Sequence, residues 1–162
     1  MTFIMGSLIR LPANTHPDNY DFDHPNSLNF DSMYACLLEL YNGCPTKTPI
    51  YDFSIHQPLP NQHKTLYPRP IVVFEGILSM YDERIRNLFD LKIFVNVDLD
   101  IALSRRIIRD IRERGRDIKE ILHRFHTFVK KDYFSYVKDQ MAYANLIIPG
   151  GNENRSWLIS RS

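Results

Sequence analysis

The stretch Ile71-Val72-Val73-Phe74-Glu75-Gly76, residues 71–76, decides the fold class of this chain. An uninterrupted apolar run this short, rich in β-branched residues, is typical of a strand buried on both faces of a parallel sheet. Functional groups in such sheets lie at the carboxyl ends of the strands. The run therefore predicts an α/β fold with a candidate site near Glu75.

The segments on either side of this run alternate between strand and helix patterns. Two more short apolar runs, 91–95 and 146–148, predict buried strands. Apolar residues at helical spacing predict helices at 30–41, at about 82–89, from 98 or 100 to Gly115, and from 117 to about 138. Prolines at 45–49 and 58–70 predict loops or an exposed hairpin. This alternation is typical of a layered α/β domain, and we expect one domain over residues 1–162.

Several helix ends have recognisable signals. Asn29 can cap the helix that begins at residue 30, and Asn42-Gly43 supplies a left-handed stop at its other end. Asp98 or Asp100 can cap the arginine-rich helix, which Gly115 interrupts.

The composition excludes several classes of protein. The chain has 162 residues, which suffices for one core. A formal charge of +1 gives no overall reason to expect nucleic acid or an anionic membrane as partner. Cys36 and Cys44 are too few for a secreted disulfide framework, which favours a reducing cytoplasm. Residues 1–11 lack the features of a signal peptide, and no apolar run approaches membrane-spanning length.

The segment 104–117 contains the densest charge pattern. It carries the six arginines Arg105, Arg106, Arg109, Arg112, Arg114 and Arg116, interleaved with three acidic residues. Such spacing usually makes a solvated, salt-bridged helix face. However, Arg105, Arg109, Arg112 and Arg116 fall on one stripe, and Gly115 permits a hinge. The segment could therefore also act as a lid that binds a polyphosphate.

A second set of candidate residues lies in predicted loops. Asp23-His24-Pro25 is usually a turn, and Tyr51-Asp52-Phe53 is usually a strand end. Together with His56 they supply a carboxylate, aromatic rings and an imidazole, which suit a ribose diol and a flat base. Glu75 could help hold Mg²⁺, or it could cap a helix.

Six segments together resemble the uridine-cytidine kinases. They are FDHP (22–25), PIYDFSIH (49–56), IVVFEGIL (71–78), LKIFV (91–95), SRRIIRDIRERGRD (104–117) and YANLIIPGG (143–151). The likeness covers about residues 19–154. It implies a three-layer α/β/α fold of the P-loop kinase type, with a parallel sheet, a small β-hairpin near residues 48–70 and a helical lid.

The resemblance also implies roles for individual residues. Asp23 would bind ribose hydroxyls, and Arg106 would help hold the nucleoside. Tyr51, Phe53 and His56 would recognise the pyrimidine, and Arg109, Arg114 and Arg116 would neutralise charge on the transferred phosphate. Arg124 occupies the place of a substrate-binding glutamine, and Glu153 that of an aspartate near the adenine.

The reaction implied is transfer of the ATP γ-phosphate to the 5′ hydroxyl of uridine or cytidine, assisted by Mg²⁺ and by an aspartate base. Two features of the family pattern are absent from the printed sequence. It has no G-x-x-x-x-G-K-[ST] phosphate loop, and Gly6 stands where the aspartate base is expected. The first, central strand is absent as well, so we expect an incomplete sheet with bare edges beside 71–74 and 91–95.

Three hypotheses follow from these observations. The first is a uridine kinase whose start is cut off, in which case the printed chain has negligible turnover. The second is a non-catalytic relative that binds pyrimidine nucleosides or forms regulatory oligomers, with a homo-oligomer possible in either case. The third, a nucleic-acid binder, conflicts with the balanced charge. The sequence does not distinguish uridine from cytidine, because His56 could serve either base.

Overall fold

A computed structural model of the chain describes residues 2–4, 19–52 and 57–150. The chain divides into two compact units, Met1–Asp90 and Leu91–Ser162. In chain order the elements are β1 (Thr2–Ile4), α1 (Phe30–Tyr41), β2 (Thr46–Asp52), β3 (Gln57–Leu66), β4 (Val73–Glu75), α2 (Glu83–Arg86), β5 (Ile93–Asn96), α3 (Leu99–Arg114), α4 (Ile118–Arg124), α5 (Lys130–Asp132) and β6 (Leu146–Pro149). Strands and helices alternate as predicted, and the fold is α/β.

Helix α1 organises the core of the first unit. Its buried face consists of Met33, Leu37 and Leu40. The side chain of Asn29 accepts a hydrogen bond from the Ser32 amide at 3.1 Å, which confirms the predicted cap. The helix ends before Gly43, whose φ of 77° lies in the left-handed region, as predicted.

Helix α2 is tied to α1 at the surface. Asp82 caps α2 by accepting from the amides of Arg84 and Ile85. The Arg84 guanidinium also lies 2.9 Å from a carboxylate oxygen of Asp31 in α1. The hydrogen bond that Arg84 donates to Asp82, followed by the one that it donates to Asp31, raises the pKa of Arg84. These contacts fix the direction of α2, but exposed ion pairs add little stability.

The predicted hairpin is present as the antiparallel pair β2 and β3. Thr46 is paired with Leu66 at one end and Asp52 with Gln57 at the other. The register shifts between the pairs Pro49–His63 and Tyr51–Pro58, so that two steps along β2 stand against five along β3 and the ladder is interrupted there. The hairpin therefore carries Tyr51 on its first strand, next to Asp52, the last paired residue of that strand.

Two parallel ladders represent the predicted sheet. β1 pairs with β4, with Thr2 opposite Val73, and β5 pairs with β6, with Ile93 opposite Leu146. The prediction of parallel strands is confirmed, and the N-terminal residues supply one of them. In the described part of the chain each ladder has two strands.

The prediction that these strands are buried on both faces is wrong. Val73 is 48% exposed and Val95 is 55% exposed, whereas Phe94, between Ile93 and Val95, is buried. A two-stranded ladder covers little apolar surface unless other elements pack on both of its faces. The apolar runs located the strands correctly, but burial depends on what packs against them.

The second unit is mainly helical. Asp98 precedes α3 without a side-chain capping bond, while Asp117 caps α4 through the Lys119 amide. Beyond α4 the helix continues through two π-helical turns, Phe125–Val129 and Tyr133–Val137, and a 3-10 turn, Lys138–Tyr143. Ile121 and Phe125 form its apolar core. In the described ranges no helix has the length and apolar character that crossing a bilayer requires.

Candidate functional site

The segment that contains Asp23 is a tightly bonded turn. Asp21 accepts a hydrogen bond from the Asp23 amide at 3.2 Å, and Nδ1 of His24 accepts one from the Asn26 amide at 3.0 Å. The buried hydroxyl of Ser27 donates to the Phe22 carbonyl at 2.8 Å. The turn reading of Asp-His-Pro is confirmed, and His24 serves as a cap. The network fixes the backbone on both sides of Asp23.

Two aromatic side chains, Tyr20 and Phe22, adjoin this turn, and Tyr51 lies close enough to Tyr20 for the two phenols to interact electrostatically; we refer to these three residues as the aromatic cluster. The rings of Tyr20 and Phe22 meet edge to face with centroids 4.9 Å apart. Burial, with a smaller contribution from the nearby Tyr20, raises the pKa of Tyr51 to about 12. The Tyr51 phenol is therefore neutral at physiological pH and can act as a hydrogen-bond donor or acceptor.

Tyr20 was not among the residues singled out from the sequence. The signal that could have found it is the aromatic pair at positions 20 and 22 directly before the Asp-His-Pro turn. Neighbouring aromatic rings of this kind suit a flat ligand. The structure therefore shows Tyr20 in contact with Phe22 and near Tyr51, one of the predicted acceptor residues.

Three of the predicted site residues, Phe53, His56 and Glu153, lie outside the described residues. Glu75 ends β4, opposite Ile4, and is exposed. The chain after it forms turns, and the next helix is capped by Asp82, so Glu75 does not cap a helix. Among the described residues, no group of three or more His, Cys, Asp or Glu side chains is placed to hold a metal ion.

Four arginines in the second unit converge on one carboxylate. The side chain of Asp110 has no exposed surface, and Nε of Arg109 donates to its Oδ1 at 2.8 Å. Nη1 of Arg114 lies 3.4 Å from the same oxygen. Nε of Arg106 and Nη1 of Arg116 lie 3.6 and 3.7 Å from Oδ2. We call Arg106, Arg109, Arg114 and Arg116 with Asp110 the arginine cluster.

The end of α3 explains how residues on both sides of Gly115 reach the same carboxylate. Gly115 has a φ of 62°, and both its amide and that of Arg116 donate to the Asp110 carbonyl. These two hydrogen bonds to one carbonyl oxygen are typical of a chain that reverses direction after a helix. The reversal folds Arg116 back over the last turn, toward the carboxylate that Arg106 reaches from one turn earlier.

The arginine cluster has more positive than negative charge. Burial alone would raise the pKa of Asp110, but the hydrogen bond from Arg109 and the charges of Arg109, Arg114 and Arg106 lower it overall. Burial, followed by repulsion from Arg109, lowers the pKa of Arg114. Four guanidiniums share one carboxylate here, an excess of three positive charges over Asp110. Such an excess suits an anionic ligand better than a self-neutralised helix face.

The cluster differs from the stripe expected from helical spacing. Arg109 and Arg116 belong to both, but the structure adds Arg106 and Arg114 to the contacts with Asp110 in place of Arg105 and Arg112. Asp110 was not predicted as a site residue. Its signal in the sequence is that it lies four residues from both Arg106 and Arg114, the spacing at which helical side chains meet.

Arg124 is placed differently from the other arginines. It ends α4, and its side chain is largely buried. Its guanidinium lies 5.8 Å from the centroid of the Phe128 ring. This geometry is compatible with a cation–π contact. Arg124 is thus part of the packing of the second unit, and its predicted contact with substrate stays a prediction.

Residues 6–156 match the profile of the phosphoribulokinase / uridine kinase family. Among individual proteins, the chain is 43% identical over 138 residues to a uridine kinase of Schizosaccharomyces pombe, covering 85% of the chain and 30% of that protein. It is 42% identical over 142 residues to a uridine kinase of Saccharomyces cerevisiae, covering 88% and 28%. A uridine-cytidine kinase 2-B of Danio rerio is 40% identical over 135 residues, covering 83% and 51%.

The fold has a counterpart among solved structures. A protein of Silicibacter sp. TM1040 described as a fructose transport system kinase superposes with a TM-score of 0.71 at 14% identity, covering 92% of this chain and 74% of that one. This likeness supports the P-loop-kinase type of α/β fold. The chain spans less than a third of the length of the two fungal relatives.

Proposed function

The chain belongs to the phosphoribulokinase / uridine kinase family, and on that premise we propose that it is the acceptor-binding and lid portion of an ATP-dependent uridine or cytidine kinase. The reaction would transfer the γ-phosphate of ATP to the nucleoside 5′ hydroxyl and yield UMP or CMP. The observation that carries the proposal is the convergence of four guanidiniums on the buried Asp110. Phosphoryl transfer depends mainly on positioned positive charge around the phosphates.

The two sets of residues would have separate tasks. Arg109, Arg114 and Arg116 would contact the phosphates, because their guanidiniums have unused N–H donors and are partly exposed. Asp23 and Tyr51 would hold the ribose and the base, with Arg106 helping to hold the nucleoside. This assignment is supported by the fixed turn around Asp23 and by the neutral phenol of Tyr51.

The remaining assignments concern residues outside the aromatic cluster and the arginine cluster. Phe53 and His56 would complete the pyrimidine site, Arg124 would extend the nucleoside contacts, and Glu153 would lie near the adenine. Glu75 would supply one oxygen to a magnesium ion that accompanies ATP and keeps most of its waters.

The test is uridine phosphorylation, measured for two proteins. One is the printed chain, and the other is the chain extended upstream with the residues that precede the matching region in the S. pombe uridine kinase. We expect turnover only in the extended protein, because the phosphate loop supplies the amides and the lysine that bind ATP. Phosphorylation by the printed chain at an ordinary enzymatic rate would show that this loop is dispensable.

A second candidate function rests on the exposed apolar strands. Val73 and Val95 are half exposed, although the strands of a parallel sheet are normally covered on both faces by helices. A non-catalytic subunit that binds pyrimidine nucleosides and associates with copies of itself, or with a catalytic relative, would cover them. Uridine binding without turnover, together with a mass above that of one chain by light scattering, would favour this candidate over a fragment of an active kinase.

The proposed location is the cytoplasm. Cys36 and Cys44 are both free thiols, and Cys44 is exposed. Exposed thiols remain reduced in the cytosol. Fractionation of cells that express the protein with a small tag would test this location.

A further inference from the structure

We propose that Asp110 is a positioning residue that holds Arg109, Arg114 and Arg116 in the arrangement needed to bind the phosphate chain of a nucleoside triphosphate. The inference rests on the proposed function and extends it to a residue that does not itself touch the ligand. An exposed carboxylate among arginines would compete with phosphate for their charge. A buried carboxylate beneath them can orient them and leave their outer nitrogens available.

The contacts of the cluster fit such a role. Arg109 uses Nε on Asp110, whereas Arg114 and Arg116 each use Nη1. Among the residues that the structure describes, these three arginines make no other close ion pair. A guanidinium has five N–H donors in a planar fork, so most donors of each side chain remain for an external anion.

Exposure separates the carboxylate from the guanidiniums. The Asp110 side chain is fully buried, while those of Arg109 and Arg114 are 45% and 39% exposed. A ligand from solvent can therefore reach the arginines but not Asp110. Asp110 remains on the inner side of the cluster when the outer side binds an anion.

Asp110 also organises the backbone at this point. Its carbonyl accepts the amides of Gly115 and Arg116, and its carboxylate contacts Arg116. The backbone of Asp110 thus takes part in the chain reversal that Gly115 permits, while its carboxylate contacts arginines on both sides of that reversal. Arginines in three different turns would otherwise repel one another and lose their common direction.

The experiment measures binding of inorganic tripolyphosphate to the full chain by calorimetry. Three variants are compared with the wild type. Asp110→Asn removes the buried carboxylate, Glu113→Gln removes one exposed carboxylate of the same helix, and Asp110→Glu keeps the charge but moves it by one methylene. Asp110→Asn and Glu113→Gln change the net charge equally. A difference between their affinities for tripolyphosphate therefore reports the position of the lost carboxylate and not the change in net charge.

We expect Asp110→Asn to weaken tripolyphosphate binding on the order of tenfold, although it adds net positive charge. Glu113→Gln should bind as tightly as the wild type or slightly more tightly, and Asp110→Glu should lie between the wild type and Asp110→Asn. If Asp110→Asn binds tripolyphosphate as tightly as Glu113→Gln, the proposal is overturned. The proposal is also overturned if Asp110→Glu binds tripolyphosphate as tightly as the wild type. This variant tests the position of the carboxylate even where Asp110→Asn fails to fold.

A second measurement separates this proposal from the proposed function. The Nε–H signals of the arginines are followed by NMR without ligand. We expect dispersed, slowly exchanging signals in the wild type and in Glu113→Gln, and collapsed, fast-exchanging signals in Asp110→Asn. Dispersed signals in a wild type that fails to bind tripolyphosphate would refute phosphate binding by the cluster but keep Asp110 as its organiser. Unchanged signals in Asp110→Asn would refute the positioning role whatever binds.

Discussion

The arginine cluster and the aromatic cluster are built in opposite ways. The arginine cluster comes from eleven consecutive residues, 106–116, and one helix end brings them together. The aromatic cluster joins Tyr20 and Phe22 to Tyr51, about thirty residues later, and depends on the hairpin to do so. The first site therefore requires little more than a helix and a chain reversal. The second requires the fold of its whole unit.

The largest expected effect is on stability and comes from the centre of the arginine cluster. Asp110→Asn should lower the free energy of unfolding at neutral pH by about 2 to 3 kcal/mol, since it leaves four guanidiniums facing one another without a buried counter-charge. The loss is smaller than the roughly 3 to 5 kcal/mol usual for a broken buried ion pair, because the arginines are partly exposed to solvent. Urea denaturation followed by circular dichroism measures the difference.

The pH dependence of that difference follows from the lowered pKa of Asp110. A carboxyl group with a lower pKa in the folded state stabilises the fold above its unfolded pKa of about 4 and loses this contribution as pH falls through the folded value. The gap between the wild type and Asp110→Asn should therefore narrow in acid. A gap that is the same size at neutral and strongly acidic pH would mean that the charge of Asp110 is not responsible.

The next prediction concerns two glycines, one after the end of each of two helices. Gly115 and Gly43 have φ values of 62° and 77°, and an added Cβ would meet no atom within 4 Å in either case. Gly115→Ala and Gly43→Ala should therefore each destabilise the chain by about 1 to 2 kcal/mol through the backbone alone. Only Gly115→Ala should also weaken tripolyphosphate binding, because it disturbs the reversal that places Arg116. Equal tripolyphosphate affinities of the two variants would contradict this role for the turn.

The arginine cluster also shows how much of a local site can be predicted from sequence. Arg109, Arg114 and Arg116 were expected at a phosphate site, and the structure brings all three together at Asp110. Asp110 itself was overlooked because its sequence pattern equally describes a solvated salt bridge. Only the structure shows that this carboxylate is fully buried. Spacing predicts which helical residues are neighbours, but not which of them faces the interior.

The secondary structure likewise contains features that the sequence predicted and features that it did not. The caps of Asn29, Asp82 and Asp117 are local hydrogen bonds, and the sequence placed each of these helix starts within a residue. The sequence located the strands correctly. Their burial was predicted wrongly, because it depends on elements remote in sequence. The helical spacing predicted a helix over these residues, but not the two π-helical turns within it. What is decided by neighbouring residues was predictable, and what is decided by packing was not.

A smaller effect is expected at the aromatic cluster. Ser27→Ala removes the buried hydroxyl that donates to the Phe22 carbonyl and should destabilise the chain by about 1 kcal/mol. It should also weaken uridine binding, measured by calorimetry, because the turn around Asp23 loosens. Ser104→Ala is the control, since Ser104 makes the same kind of bond to the Asp100 carbonyl on an exposed helix face. Similar losses in both variants would indicate that the turn adds nothing beyond one hydrogen bond.

The smallest effect concerns the ionisation of Tyr51. Its pKa of about 12 in the folded chain lies above that of an unfolded tyrosine, which is about 10. The resulting stabilisation is complete below about pH 10 and is lost as pH rises through the folded value. Tyr51→Phe should remove the last-titrating part of the tyrosinate absorbance and flatten the alkaline loss of stability. Because burial is the larger cause of the shift and Tyr20 the smaller, Tyr20→Phe should leave Tyr51 titrating only slightly earlier. A large change in Tyr20→Phe would mean that the aromatic cluster, like the arginine cluster, is governed by charge and not by burial.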